Sequence, residues 1–178
     1  MVNGSASESA TPESRMREWK VAGGLISNDV GLLLVANRRR DGRIDWSTPG
    51  GVIDADETPL IALSREVEEE TGLVVTGWER MCWTTEVVFV DLEMHLKVEV
   101  HLAVGFAGDI VLEDPDGIVV DAEFLHAAVI DQRLDTSPPW VADPMRDWLN
   151  DPWPDLRHFG YRALGRNPSE MTSERILS

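Results

Sequence analysis

The chain has 178 residues, 43% of them hydrophobic, which suits one domain with its own core and excludes a wholly disordered chain. Lys and Arg number 16 against 32 Asp and Glu, a formal net charge of −16. That balance argues against a nucleic acid or an anionic membrane as partner, since both call for a basic surface. It is compatible with a small phosphorylated ligand if metal ions stand between carboxylate and phosphate. A single cysteine, Cys82, excludes an internal disulfide and a cysteine zinc cage and reads as a small buried hydrophobe.

Met1 to about Arg17 is rich in Ser, Ala, Glu and Thr without apolar periodicity, and a flexible tail is predicted over 1–17. It has neither the basic stretch nor the apolar stretch of a secretory signal, and no apolar run approaches the ~20 residues of a membrane span. A cytoplasmic protein is therefore expected. Residues 18–150 form the predicted globular domain. Trp19 to Ile26 and Leu32 to Arg38 read as strands, with a turn at Ser27-Asn28-Asp29 between them. Asp41-Gly42 marks a hairpin turn, followed by a short strand around Arg43 to Ser47. Pro49-Gly50-Gly51 interrupts regular structure. Thr58 to Thr71 is predicted helical, with Pro59 in the first turn and Gly72 past the end.

Val74 to Trp83 and Thr85 to Val90 read as two strands. Leu96, Val98, Val100, Leu102 and Val104 alternate with Lys97, Glu99, His101 and Ala103, the pattern of a half-buried strand. Ile118 to Leu125 is a further strand, Ala127 to Leu134 a weak helix, and Asp143-Pro144 caps a last predicted helix through Leu149. Residues 151–178 are predicted to be a partly ordered arm lying on the domain. Many strands with a few helices, not strictly alternating, predict an α/β fold with a mixed sheet flanked by helices.

The central helix concentrates negative charge. With roughly 100° per residue and Glu66 taken as the origin, Glu70 falls at about 40° and Glu69 at about 300°, while Glu68 points away at about 200°. Ala62 leaves space among the three, and Leu60, Leu63, Val67 and Thr71 form the adjoining core stripe. Like charges at i,i+3 and i,i+4 destabilise a helix by roughly 0.2–0.5 kcal/mol per pair. Three such carboxylates beside a core stripe call for a cation, and hard oxygen donors suit Mg²⁺ or Mn²⁺. Arg65 lies beside Glu69 and can orient it through a charge-assisted hydrogen bond.

Gly51, Glu57, Arg65, Glu66, Val67, Glu69, Glu70, Gly72 and Leu73 occupy every constrained position of the pattern G-x5-E-x7-R-E-U-x-E-E-x-G-U, where U is a hydrophobe. On these residues the chain resembles the Nudix hydrolases. Thr48, just before the motif, departs from the larger apolar residue common in relatives. The resemblance implies an α/β/α sandwich with a mixed sheet, and metal-dependent hydrolysis of a nucleoside diphosphate linked to another group, X. It implies metal-binding and base roles for Glu66, Glu69 and Glu70, a main-chain metal ligand at Gly50, and orienting roles for Glu57 and Arg65. Gly51 and Gly72 would make the turns into and out of the helix.

Members of that family often add an acid from a later loop; Glu113, Asp114, Asp116 and Asp121 are the candidates here, with a polar turn around Asp116-Gly117 the favoured reading for any single one of them. Arg38, Arg39, Arg40 and Arg43 either hold distal phosphates or solvate an exposed turn; Arg38 is the one expected to face inward as a substrate residue, with Gly51 beside the substrate. The positions 15–17 past the motif, Val88, Phe89 and Val90, lack the proline of ADP-ribose hydrolases and the tyrosine of many dinucleoside polyphosphate hydrolases. By elimination this points to a nucleoside triphosphate as the small-molecule partner. A diphosphate sugar, a dinucleoside polyphosphate and a non-catalytic sensor remain alternatives, and a homodimer is left open. An isomerase with the same fold is disfavoured by the setting of Cys82. Trp46 and Trp83 are expected to pack in the core rather than to stack a base.

Overall fold

The computed structural model describes residues 16–168 and 170–176. The predicted tail over 1–17 thus falls almost wholly outside the described residues. The chain order is β1 (Arg17–Leu25), β2 (Leu32–Arg38), β3 (Ile44–Ser47), β4 (Gly50–Val52), α1 (Pro59–Thr71), β5 (Val74–Phe89), β6 (Met94–Ala107), β7 (Val119–Leu125), α2 (Ala127–Arg133), α3 (Pro139–Asn150), β8 (Arg157–Leu164) and β9 (Thr172–Ile176). Six strands form a mixed sheet in the order β4-β1-β6-β5-β8-β9, and β3-β2-β7 form a second, antiparallel sheet. The expected α/β architecture with a mixed sheet is present.

Strand alternation decides what each sheet face buries. Ala22 of β1 and Ile26 just past its end join Leu63 and Val67 of α1 in one core cluster, while Leu25 joins a second cluster with Trp83, Val87, Ile130, Met145 and Trp148. Helix α1 therefore covers one face of the large sheet, and α2 and α3 cover the other. On β2, Leu33 and Val35 go to the α1 cluster, and Leu34 and Ala36 to the α3 cluster. Trp83, Trp148 and Trp153 meet with ring centroids 5.0–6.0 Å apart, so these tryptophans pack the core as expected. Trp46 is buried as well, as is the free thiol of Cys82.

Three expectations are corrected. Gly50 and Gly51, read with Pro49 as a break, belong to a short strand, Gly50–Val52, antiparallel to β1; the glycines carry no propensity for it, and β1 recruits it through backbone pairing. The two strands expected at 74–83 and 85–90 are one, bent by four register irregularities against β6. Helix α3 starts four residues before Asp143, capped by Pro138 with Pro139 at its first turn, and carries Pro144 inside.

The arm from 151 onward is part of the domain. Strand β8 runs parallel to β5, and β9 pairs antiparallel with β8. Phe159, Tyr161 and Ala163 alternate into the core, and Tyr161 donates a 3.0 Å hydrogen bond to Asp143 Oδ2 on α3. Its burial and the Asp143 charge push the phenol pKa up.

Candidate active site

Helix α1 is fixed at both ends. Thr58 caps it with its hydroxyl accepting from the Ile61 N–H at 3.4 Å, and Gly72 ends it in the left-handed conformation (φ 74°), its N–H bonded to Glu68 O at 2.8 Å. Ala62, Leu63, Val67 and Thr71 are buried against the sheet. That roll of the helix exposes Glu68, turns Glu66 and Glu70 toward β4, and leaves Glu69 beside Arg65.

The β4 backbone meets these carboxylates directly. The Gly50 N–H donates to Glu70 Oε2 at 2.8 Å. A side chain at Gly50 would lie 2.1 Å from Ala22 O, and one at Gly51 would lie 2.4 Å from the carboxyl carbon of Glu66. Gly51 thus leaves a cradle that the Glu66 carboxylate fills. Gly50→Ala meets rigid backbone and a positive φ of 141°, so a loss of about 1–3 kcal/mol is expected in a denaturant titration. An unchanged midpoint would show that β4 can move aside.

Arg65 organises the acids. Its Nε and Nη2 grip Glu57 at 2.9 and 2.8 Å, while Nη1 reaches Glu66 Oε1 at 2.9 Å and Glu69 Oε2 at 3.1 Å. The bidentate grip holds the Glu57 carboxyl below its usual range. Glu70 is 9% exposed. Burial, only partly offset by the Gly50 N–H, pushes its pKa up to about 8, with the charges of Glu66, Asp114 and Glu69 adding to the rise. Burial also raises Glu66, against the pull of Arg65.

A buried Glu70 beside the partly buried Glu66, each raising the other's charge cost, supplies the hard oxygen donors a divalent ion requires. Among the described residues no three acid, histidine or cysteine side chains already stand at metal-ligand spacing. Arg65 bridges Glu66 and Glu69 instead. The donor chemistry fits Mg²⁺ or Mn²⁺.

These groups border a cavity of about 600 Å³. Gly50, Gly51, Glu66, Glu70, Asp114 and Asp116 line its acidic part, while Trp83, Val98, Val100, Trp140 and Met145 line an apolar part. Thr85 is the polar residue on that apolar floor, and sequence reasoning passed over it because a threonine in a strand carries no signal of its own.

The structure separates the loop acids. Asp114 accepts from the N–H groups of Asp116, Ile118 and Val119 at 3.1, 2.7 and 2.8 Å and so holds the loop together. Asp121 accepts from the Ala122 N–H at 2.9 Å within β7. Glu113 is exposed and does not line the cavity. Asp116 lines it, close enough for its charge to raise the Glu66 pKa.

The expectation for Arg38 is corrected. Arg38 is exposed and off the cavity wall, whereas Asn37 and Arg39 line it. Side chains alternate along the strand end, so Asn37 and Arg39 share one side and Arg38 takes the other. Arg39 is itself held by Asp45 at 2.6 and 2.8 Å.

Fold and site together define an α/β protein with an acidic, ligand-sized cavity built on a glycine-gripped helix. The NUDIX domain model matches residues 17–148, and the chain belongs to that family. It is 42% identical over 62 residues to an 8-oxo-dGTP diphosphatase of Haemophilus influenzae, covering 34% of this chain and 46% of that one. It is 49% identical over 49 residues to an RNA pyrophosphohydrolase of Halorhodospira halophila, covering 28% and 26%. The chain thus spans less than half the length of these curated relatives. Among solved structures, a NUDIX hydrolase from Nitrosomonas europaea superposes with a TM-score of 0.65 at 20% identity, covering 74% of this chain and 88% of that one. A MutT NUDIX hydrolase from Burkholderia pseudomallei gives 0.56 at 24%, covering 63% and 85%. At these identities the likeness is one of fold.

Proposed function

We propose that the protein is a divalent-metal-dependent hydrolase of the pyrophosphate link in a nucleoside diphosphate joined to X. The favoured substrate is a (deoxy)nucleoside triphosphate, released as nucleoside monophosphate and pyrophosphate. The observation that carries the reading is the convergence of Glu66 and Glu70, with Glu69 at their side, on a cavity whose far part is apolar. A volume of about 600 Å³ falls within the usual size of a small-molecule site.

In this reading Glu66, Glu69 and Glu70, with the Gly50 carbonyl, would hold Mg²⁺ or Mn²⁺, which when bound would neutralise phosphate charge and lower the pKa of water. One of the three carboxylates takes the proton from the attacking water. Arg65 and Glu57 act on orientation: Arg65 keeps the Glu66 and Glu69 carboxylates from swinging apart, and Glu57 holds the Arg65 guanidinium in place against them. Gly51 leaves room for the Glu66 carboxylate at the substrate's edge, and Arg39 replaces Arg38 as the cation nearest the phosphates. Asp116 is the loop acid best placed to join the set. The net charge of −16 supports a metal-complexed nucleotide over a nucleic acid polymer.

The expected product pattern is specific. A phosphate-detecting assay on a nucleoside triphosphate stays silent until inorganic pyrophosphatase is added, and isotopically labelled water marks one product of the pyrophosphate cleavage. Direct release of orthophosphate with nucleoside diphosphate would contradict the reading. Turnover of a diphosphate sugar or dinucleoside polyphosphate, with triphosphates untouched, would keep the chemistry and change the substrate.

A further inference from the structure

The apolar floor of the cavity is interrupted at one point. Thr85 lies on β5 between Val98 of β6 and Phe159 of β8, and strand alternation places it on the same face as Trp83 and Val87. It lines the cavity and is 1% exposed, yet its Oγ1 has no hydrogen-bond partner among the described residues. A buried hydroxyl without a partner destabilises a fold, and valine, of the same shape, would not carry that penalty. Val98 and Val100 have no polar side-chain atom, and the Trp83 indole N–H does not reach Thr85 Oγ1. The fold therefore gives no reason for a hydroxyl here, and a ligand does.

Distance defines that ligand. The rows of the sheet run Gly50–Gly23–Val100–Trp83 and Val52–Val21–Val98–Thr85. Three strand spacings separate β4, where the carboxylates gather, from β5, or about 14 Å. In the nucleotide-hydrolase reading, a molecule that reaches both places would set metal-complexed phosphates at Glu66 and Glu70 and a flat, largely apolar ring with one polar edge at the other end.

We propose that Thr85 is a specificity-determining residue, its Oγ1 hydrogen-bonding the polar edge of the planar ring at the distal end of the bound nucleotide. This rests on the nucleotide-hydrolase reading above and adds to it the atom that distinguishes one ring from another. A site built to hydrogen-bond a ligand rejects analogues lacking the matching group, because its own polar atom is then left buried and unpaired. Thr85 takes no part in bond cleavage.

The test compares the full-length wild type with Thr85→Val and Thr85→Ser, loaded with Mg²⁺, on nucleoside triphosphates that differ only in the base. In Thr85→Val, KM for the best wild-type nucleotide rises at least about tenfold and the preference among bases falls by the same factor, with Thr85→Ser restoring the preference. Without nucleotide, Thr85→Val melts at or above the wild-type temperature. A base preference retained in Thr85→Val would overturn the proposal. So would a wild type that turns over all bases equally. A clear drop in the melting temperature of ligand-free Thr85→Val would do the same, since it would mean that the hydroxyl has a partner inside the fold, such as a held water. A wild type that neither binds nor hydrolyses any triphosphate would instead remove the hydrolase reading, and Thr85's role with it.

Discussion

Glu70→Gln is expected to lower kcat on the order of 10³-fold or more while leaving the fold intact, because it deletes a charge from the reacting end and keeps the side-chain shape. Glu69→Gln should behave alike. In the metal-free protein Glu70→Gln should also melt higher than the wild type at pH 8, since the buried carboxylate is strained by desolvation and by its neighbours. Glu68→Gln is the control: Glu68 is exposed on the opposite side of α1, and its activity should stay within a factor of about 2. Steady-state kinetics of the three variants decide the matter. Equal damage from Glu68→Gln and Glu69→Gln would show that the helix presents a different face.

Chelation carries the other large effect. Turnover should vanish in EDTA and return with Mg²⁺ or Mn²⁺, and the added ion should raise the melting temperature because it binds the assembled carboxylates and not the unfolded chain. The gain should depend on pH in a stated direction. In the metal-free fold the Glu70 pKa is pushed up to about 8 from an ordinary 4.5. The folded state therefore holds a proton that the unfolded chain has released, and this contribution to stability is complete below pH 4.5 and lost as pH rises through about 8. The slope between these limits is at most about 1.4 kcal/mol per pH unit. Melting scans in EDTA should thus show the wild type weakening between pH 5.5 and 8, and Glu70→Gln weakening less. Mg²⁺ should stabilise the wild type more at pH 8 than at pH 5.5. Identical pH slopes for wild type and Glu70→Gln would mean that Glu70 is not the buried titrating acid. Full activity in excess chelator would remove the metal from the chemistry altogether.

Much of the acidic site was legible in the chain because it is local. Three glutamates, an arginine and a capped core stripe within one helix have their relative directions set by helical periodicity, and the structure keeps Glu68 outside and Glu70 inside as that periodicity requires. Composition alone set the single-domain scale and the acidic surface, and the turn residues Thr58, Pro59 and Gly72 bounded the helix.

Other features depended on partners far along the chain. Gly50–Val52 is a strand only because β1 lies beside it, and residues 157–164 join the sheet only because β5 offers an edge. Which arginine faces the cavity followed from the way strand β2 ends, and which loop acid is free followed from Asp114 spending its oxygens on three backbone N–H groups. Thr85 is the extreme case: nothing in its neighbours along the chain marks it, and the strands at 94–107 and 157–164 that pair with its backbone leave its hydroxyl without a partner. Helix capping and side-chain periodicity act over a few residues and are written in the sequence. Burial, strand pairing and the absence of a hydrogen-bond partner are set by residues tens of positions away, and only the folded chain brings those together.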